Sequence, residues 1–114
     1  MLLLPYKEDK MKIRIYQIDL DKDENAVAFN SMEMLLKYKQ TVDPAIYDLV
    51  YEASVDTDDL EDVYRIFNIA KPEGYTGRSL SVSDVVEVIE SEQILPGFYF
   101  CDNIGFKRLE HFLQ

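Results

Sequence analysis

The stretch Thr76-Gly77-Arg78-Ser79-Leu80-Ser81-Val82-Ser83-Asp84-Val85-Val86-Glu87-Val88 limits what this chain can become. Its second part, continued to Ile89, is built mainly from the β-branched residues Val85, Val86, Val88 and Ile89. Such side chains lose rotamer freedom in a helix and pack well on a pleated surface, so a strand is expected there. Its first part carries Gly77, Ser81, Ser83 and Asp84. Ser and Asp side chains bond nearby backbone N–H groups, which predicts a single helical turn or a side-chain-capped bend over Ser81–Asp84. These four residues read as a structural turn. A polar turn that runs straight into a buried strand calls for other strands to pair with it.

The chain supplies them. In Met11–Leu20, Ile13 and Ile15 alternate with Tyr16, Ile18 and Leu20, so this strand is expected to be partly buried on both faces. Asp19–Asn25 is a polar turn, and Val27-Ala28-Phe29 reads as a short extended piece returning along the first strand. Asn30 or Ser31 then caps a helix through about Lys39, with Met32, Leu35 and Leu36 on one face. Pro44 breaks it, since proline disfavours helix at the preceding residue. Tyr47, Leu49, Tyr51 and Ala53 alternate as a strand does, predicting one at 46–54. Asp56 or Thr57 caps a second helix, whose apolar face is Leu60, Val63, Tyr64 and Phe67, and Pro72 and Gly74 close it. Phe98–Cys101 pairs back on the Val85 strand, and Phe106–Leu113 ends the chain as a strand or short helix. The expected class is α+β: a mainly antiparallel sheet of about five strands with two helices packed on one face. Residues 1–10 are expected to be a flexible N-terminal arm and 11–114 a single domain.

Charge narrows the function classes. The chain of 114 residues carries 22 acidic and 12 basic side chains, for a formal net charge of −10. That balance repels a phosphate backbone, and no basic cluster offsets it, so direct nucleic-acid binding is not expected. An acidic surface favours a protein partner with a basic surface and speeds their encounter at low salt. From Gln40 to Tyr64 there is no lysine or arginine, while Asp43, Asp48, Glu52, Asp56, Asp58, Asp59, Glu61 and Asp62 all fall inside. If the strand and helix of this segment lie side by side, these carboxylates form a candidate protein-binding face, able to dock on a basic groove or to imitate the phosphates of DNA. Tyr47, Tyr51, Tyr64, Tyr75 and Tyr99 suit such an interface, because tyrosine buries a large area and keeps a polar tip.

Catalytic chemistry is thinly represented. The acidic run Asp19-Leu20-Asp21-Lys22-Asp23-Glu24-Asn25 resembles the front of a calcium-binding helix–loop–helix, but Glu24 stands where the turn needs glycine and Asn30 where a bidentate glutamate belongs. No metal-ligand spacing and no glycine-rich phosphate loop is present in the sequence. His111 is the single histidine and Cys101 the single cysteine. Cys101 reads as core packing, and a Cys101–His111 nucleophile pair lacks an accompanying oxyanion loop. No enzyme activity and no cofactor are expected. One cysteine permits no internal disulfide, which fits a reducing, cytoplasmic setting. The apolar start Met1–Pro5 is too short for a signal peptide or membrane span, so no membrane role is expected.

Several blocks in order carry a resemblance. They are Ile15-Tyr16-Gln17-Ile18, Val27-Ala28-Phe29, Tyr47-Asp48-Leu49-Val50-Tyr51, Leu60 to Asn68, Gly77 to Val86, Phe98 to Asp102, and Gly105-Phe106. Together, from about Met11 to Phe112, they resemble a YodL-like domain. The resemblance implies a small bacterial family, chiefly of Firmicutes, largely without an assigned activity, whose members often occur in proteins of plasmids and conjugative elements, sometimes near anti-restriction genes. It brings no catalytic residues. With the charge, it leads to the expectation of a non-catalytic, acidic protein-interaction module that inhibits a DNA-acting defence nuclease of the restriction or CRISPR type. The alternative is a regulatory or scaffolding module with no defence role.

Overall fold

The computed structural model describes residues 9–113. They form a five-stranded antiparallel sheet with two helices, the α+β class that the sequence predicts. The strands are β1 (Met11–Ile18), β2 (Tyr47–Val55), β3 (Val85–Ser91), β4 (Gly97–Cys101) and β5 (Phe106–Leu109). Their order is β2-β1-β3-β4-β5, with every neighbour antiparallel. The helices are α1 (Met32–Lys37) and α2 (Leu60–Ile69). The expected flexible arm lies, apart from Asp9 and Lys10, outside the described residues. Lys10 already donates its N–H to the Val55 carbonyl at 2.9 Å.

β1 lies inside the sheet, between β2 and β3, because it is apolar on both sides. Ile13 and Ile15 are fully buried with Val63 and Phe67 of α2, together with Val86, Val88 and Leu80. Tyr16 and Ile18, which point the other way, are buried with Leu35 of α1, Val27, Val85, Phe100 and Phe112. Each core strand therefore needs cover on two faces, and the helices divide: α2 covers one face, and α1 lies against the other. The expectation of both helices on one face is corrected by this split. Removing Val63 and Phe67 from water stabilises the α2 side by roughly 1.5–3 kcal/mol each.

Other local expectations shift as well. Val27–Phe29 does not pair with β1, whose two neighbours are β2 and β3. Ala26 and Phe29 have φ of 53° and 68°, which turns the chain towards α1 instead of extending it. The cap of α2 is Asp59, whose carboxylate accepts from the Glu61 N–H at 2.9 Å. The cap expected from the sequence is Asp56 or Thr57; Thr57 is buried two residues earlier, where its hydroxyl accepts from the Asp59 N–H and donates to Asp62. β2 carries an extra residue, Val50, where the register jumps between Ile15 and Tyr16. The last strand is β5, and Phe112 folds over the sheet beyond it, edge-on to Tyr16 and Tyr47.

Candidate functional site

The turn residues assemble first. Ser81–Asp84 forms a bend, with Asp84 N–H donating to the Ser81 carbonyl at 3.0 Å. The Asp84 carboxylate is 1% exposed, and its Oδ2 accepts from the Ser81 N–H at 2.8 Å and from Gln17 Nε2 at 3.0 Å. Gln17, near the end of β1, closes the network. Its amide also donates to the Arg78 carbonyl, and its Oε1 accepts from the Arg78 N–H, both at 3.0 Å. Gly77 is confined by the same clamp, since a Cβ there would lie 2.6 Å from Tyr75 Oη and 2.9 Å from Gln17 Oε1. Ser83 holds a positive φ of 82° and uses every polar group. Its N–H donates to the Cys101 carbonyl, its Oγ accepts from the Phe29 N–H, and its carbonyl accepts from the Tyr47 hydroxyl at 2.7 Å. Gly77, Ser81, Ser83 and Asp84 thus lock one end of the sheet, and they spend their hydrogen bonds on the fold.

Burial raises the Asp84 carboxyl to about 6 against the pull of its hydrogen bonds and of Arg78. Arg78 does not seal this charge directly; its Nη2 donates to the Ile18 carbonyl at 2.8 Å, and the guanidinium stacks near the Phe29 ring. Burial also pushes the Cys101 thiol up to about 12, with Asp84 adding to it. A buried thiol that holds its proton this tightly is a poor nucleophile. His111 is exposed.

The eight carboxylates of the 43–62 segment fall into separate roles. Asp43 accepts from the Ala45 N–H at 3.0 Å and caps the short 3-10 turn that leads into β2. Asp48 pairs with Lys22 at 3.4 Å, and Glu52 with Arg14 at 2.5 Å. The Arg14 hydrogen bond holds Glu52 below the usual carboxylate range. Asp59 caps α2, and Asp62 accepts from Thr57 and pairs with Arg65 at 3.6 Å. Glu61 stands exposed on the first turn of α2. Glu52 lies opposite Arg14 on the sheet face away from α2, so the eight do not form one row. Asp56 and Asp58 instead line an open groove of about 780 Å³ where the ends of β1, β2 and β3 meet, along with Glu90 and Glu92. Lys10 and Lys12 line it too. Sequence reasoning did not find Glu90 and Glu92, because they join Asp56 only through the β1–β3 pairing, which has no local signal.

The acidic turn after β1 serves the backbone. Asp19 caps a 3-10 turn by accepting from the Asp21 N–H at 3.0 Å. Asp23 accepts from the N–H groups of Val27 and Ala28 at 2.8 and 2.9 Å. Among the described residues no cluster of three or more His, Cys, Asp or Glu is placed to hold a metal. The tyrosines expected at an interface are largely spent on packing. Tyr47 is buried, and Tyr51 and Tyr75 meet Phe67 edge-on at 5.8 and 5.1 Å. Tyr99 donates to the Leu95 carbonyl, and Tyr64 alone of the five counts as exposed. Among the described residues no helix is long and apolar enough to cross a membrane.

Compared with known proteins, residues 12–112 match the family model described as the YodL-like domain. No curated protein and no solved structure matches the chain.

Proposed function

We propose that this chain, which belongs to the YodL-like domain family, is a non-catalytic module that binds a basic protein surface, with a DNA-acting defence nuclease as the partner. The observation that carries this reading is the segment from Gln40 to Tyr64. It holds eight carboxylates and no lysine or arginine, and it builds the sheet-edge strand β2 and the start of α2. A basic groove meets carboxylates there without a competing cation from the same segment. Complementary charge raises the encounter rate and fixes orientation. The division of the carboxylates between two faces favours docking on a groove over close imitation of a phosphate ladder. The buried, proton-holding Cys101 and the exposed His111 support a role without nucleophilic catalysis.

The test is DNA cleavage by a panel of restriction and CRISPR nucleases, with the chain in excess at low salt. Inhibition of at least one of them, weakening as salt rises, is the expected result. Cleavage unchanged across the panel removes the nuclease as partner.

A further inference from the structure

The sheet ends on β2 and β5, and the two edges differ. β5 runs for four residues and carries Lys107 and Arg108. β2 runs for nine. Among the described residues, the backbone hydrogen bonds to β2 beyond its ladder with β1 fall at its two ends: Lys10 N–H donates to the Val55 carbonyl, and Tyr47 N–H to the Pro44 carbonyl. The outer side of β2 therefore presents a row of peptide groups with no described backbone partner, a ready template for another strand. The bulge at Val50 divides this edge, and Tyr51–Val55 is its regular run. Glu52 and Ser54 are exposed on that run, and Asp48 and Leu49 are exposed just before it.

We propose that the outer edge of β2 is a β-augmentation site that takes an extended, basic segment of the partner protein as a sixth strand. This rests on the reading of the chain as a binder of basic proteins. In such a complex the main-chain hydrogen bonds supply affinity, and alternate side chains supply selectivity. A lysine or arginine on the incoming strand meets Glu52 on one face of the sheet, and another meets Asp48 beyond the bulge. The existing pairs of these residues, with Arg14 and Lys22, are exposed to solvent and weakly held, so an incoming cation can share or replace them. A second copy of the chain fits less well. β2 against β2 sets carboxylates against carboxylates, and β5 is too short to cover β2.

The experiment uses the isotope-labelled chain and an acetylated octapeptide that alternates lysine and valine. Amide hydrogen exchange is followed at low salt. The outward N–H groups of Tyr51–Val55 are expected to exchange at least tenfold more slowly with the peptide bound, while those of β5 keep their rates. The same peptide methylated at every backbone nitrogen keeps its charge and loses its donors, and is expected to bind at least tenfold more weakly. Equal binding of the methylated peptide overturns the proposal, because charge alone would then suffice. Protection at β5 overturns it too, as does protection of β2 that appears without peptide when the protein concentration rises, which would identify a second copy as the occupant. The two readings fail separately. A nuclease that binds the chain while β2 exchanges at its free rate removes the β2 site and leaves the function. A protected β2 with no nuclease inhibited removes the nuclease and leaves the site.

Discussion

Asp84 makes a prediction whose sign runs against ordinary acid denaturation. Its carboxyl is buried, and its folded value of about 6 stands above the ordinary 3.8. A carboxyl raised on folding binds its proton more tightly in the folded chain. The resulting stability is fully present below 3.8 and is lost as pH rises through about 6. Over that window the loss is about 3 kcal/mol, an order-of-magnitude figure from the two values. Arg78 also acts on it, and the coupled Tyr47, Tyr75 and Cys101 are all pushed upward, away from the window between pH 4 and 7. Asp84→Asn isolates the effect. Both hydrogen bonds fall on Oδ2, so an asparagine that presents its carbonyl oxygen there keeps both and carries no charge. Urea unfolding of the two proteins at pH 4, 5, 6 and 7 gives the difference free of the general relief of charge repulsion on acidification. The variant is expected to gain on the wild type by about 2–3 kcal/mol between pH 4 and 7. A difference that stays flat with pH would refute the claim that burial governs this carboxyl.

Three further outcomes follow from the same corner and the core. Asp84→Ala, unlike the asparagine variant, leaves the Ser81 N–H and the Gln17 amide without their acceptor, and is expected to be less stable than Asp84→Asn by about 1–3 kcal/mol in urea unfolding at pH 7. Gly77→Ala drives a methyl into Tyr75 and Gln17 and should cost about 1–3 kcal/mol; an unchanged melting temperature would contradict the clamp. Cys101 should resist a thiol reagent at pH 8 in the native protein and react promptly in urea, and fast native labelling would show that the thiol is not sealed.

Much of the fold was legible because it is written locally. β3 is announced by Val85, Val86, Val88 and Ile89, and Ser31 caps α1 as its sequence position suggests. Helix α2 follows from Leu60, Val63 and Phe67 at helical spacing, although its cap slid to Asp59, since Asp56, Thr57, Asp58 and Asp59 offer adjacent capping side chains. What was not legible depends on contacts distant in the chain. The order β2-β1-β3 sets residues about forty and seventy positions away beside β1. No periodicity encodes such pairings. The division of the helices between two faces follows from them, as does the meeting of Glu90 and Glu92 with Asp56. The tyrosines misled for a related reason: a large amphipathic ring suits an interface and a core equally, and here Tyr47, Tyr51 and Tyr75 found partners inside.

The carboxylates show how far net charge alone can guide a functional reading. Asp19, Asp23, Asp43 and Asp59 bond backbone N–H groups at turns or helix starts, and Asp84 sits in the core. These five explain themselves through the fold, since chain ends and bends leave N–H groups that a carboxylate satisfies. Asp102 belongs with them, because it accepts from the Met32 N–H at 3.1 Å as α1 begins. Subtracting such residues from the count leaves a smaller set whose position needs another reason. Asp48 and Glu52 lie on a sheet edge that has no further strand among the described residues, and Glu61 heads α2. A strand edge is costly to leave exposed, and negative charge beside it repels a second copy while it admits a basic strand. The same side chains thus serve to prevent self-association and to select a partner. Reversing the charge at Glu52 should therefore do both: Glu52→Lys is expected to weaken binding of the lysine–valine peptide at least fivefold and to raise self-association in sedimentation. A variant that loses neither property would detach the charge of β2 from its open edge.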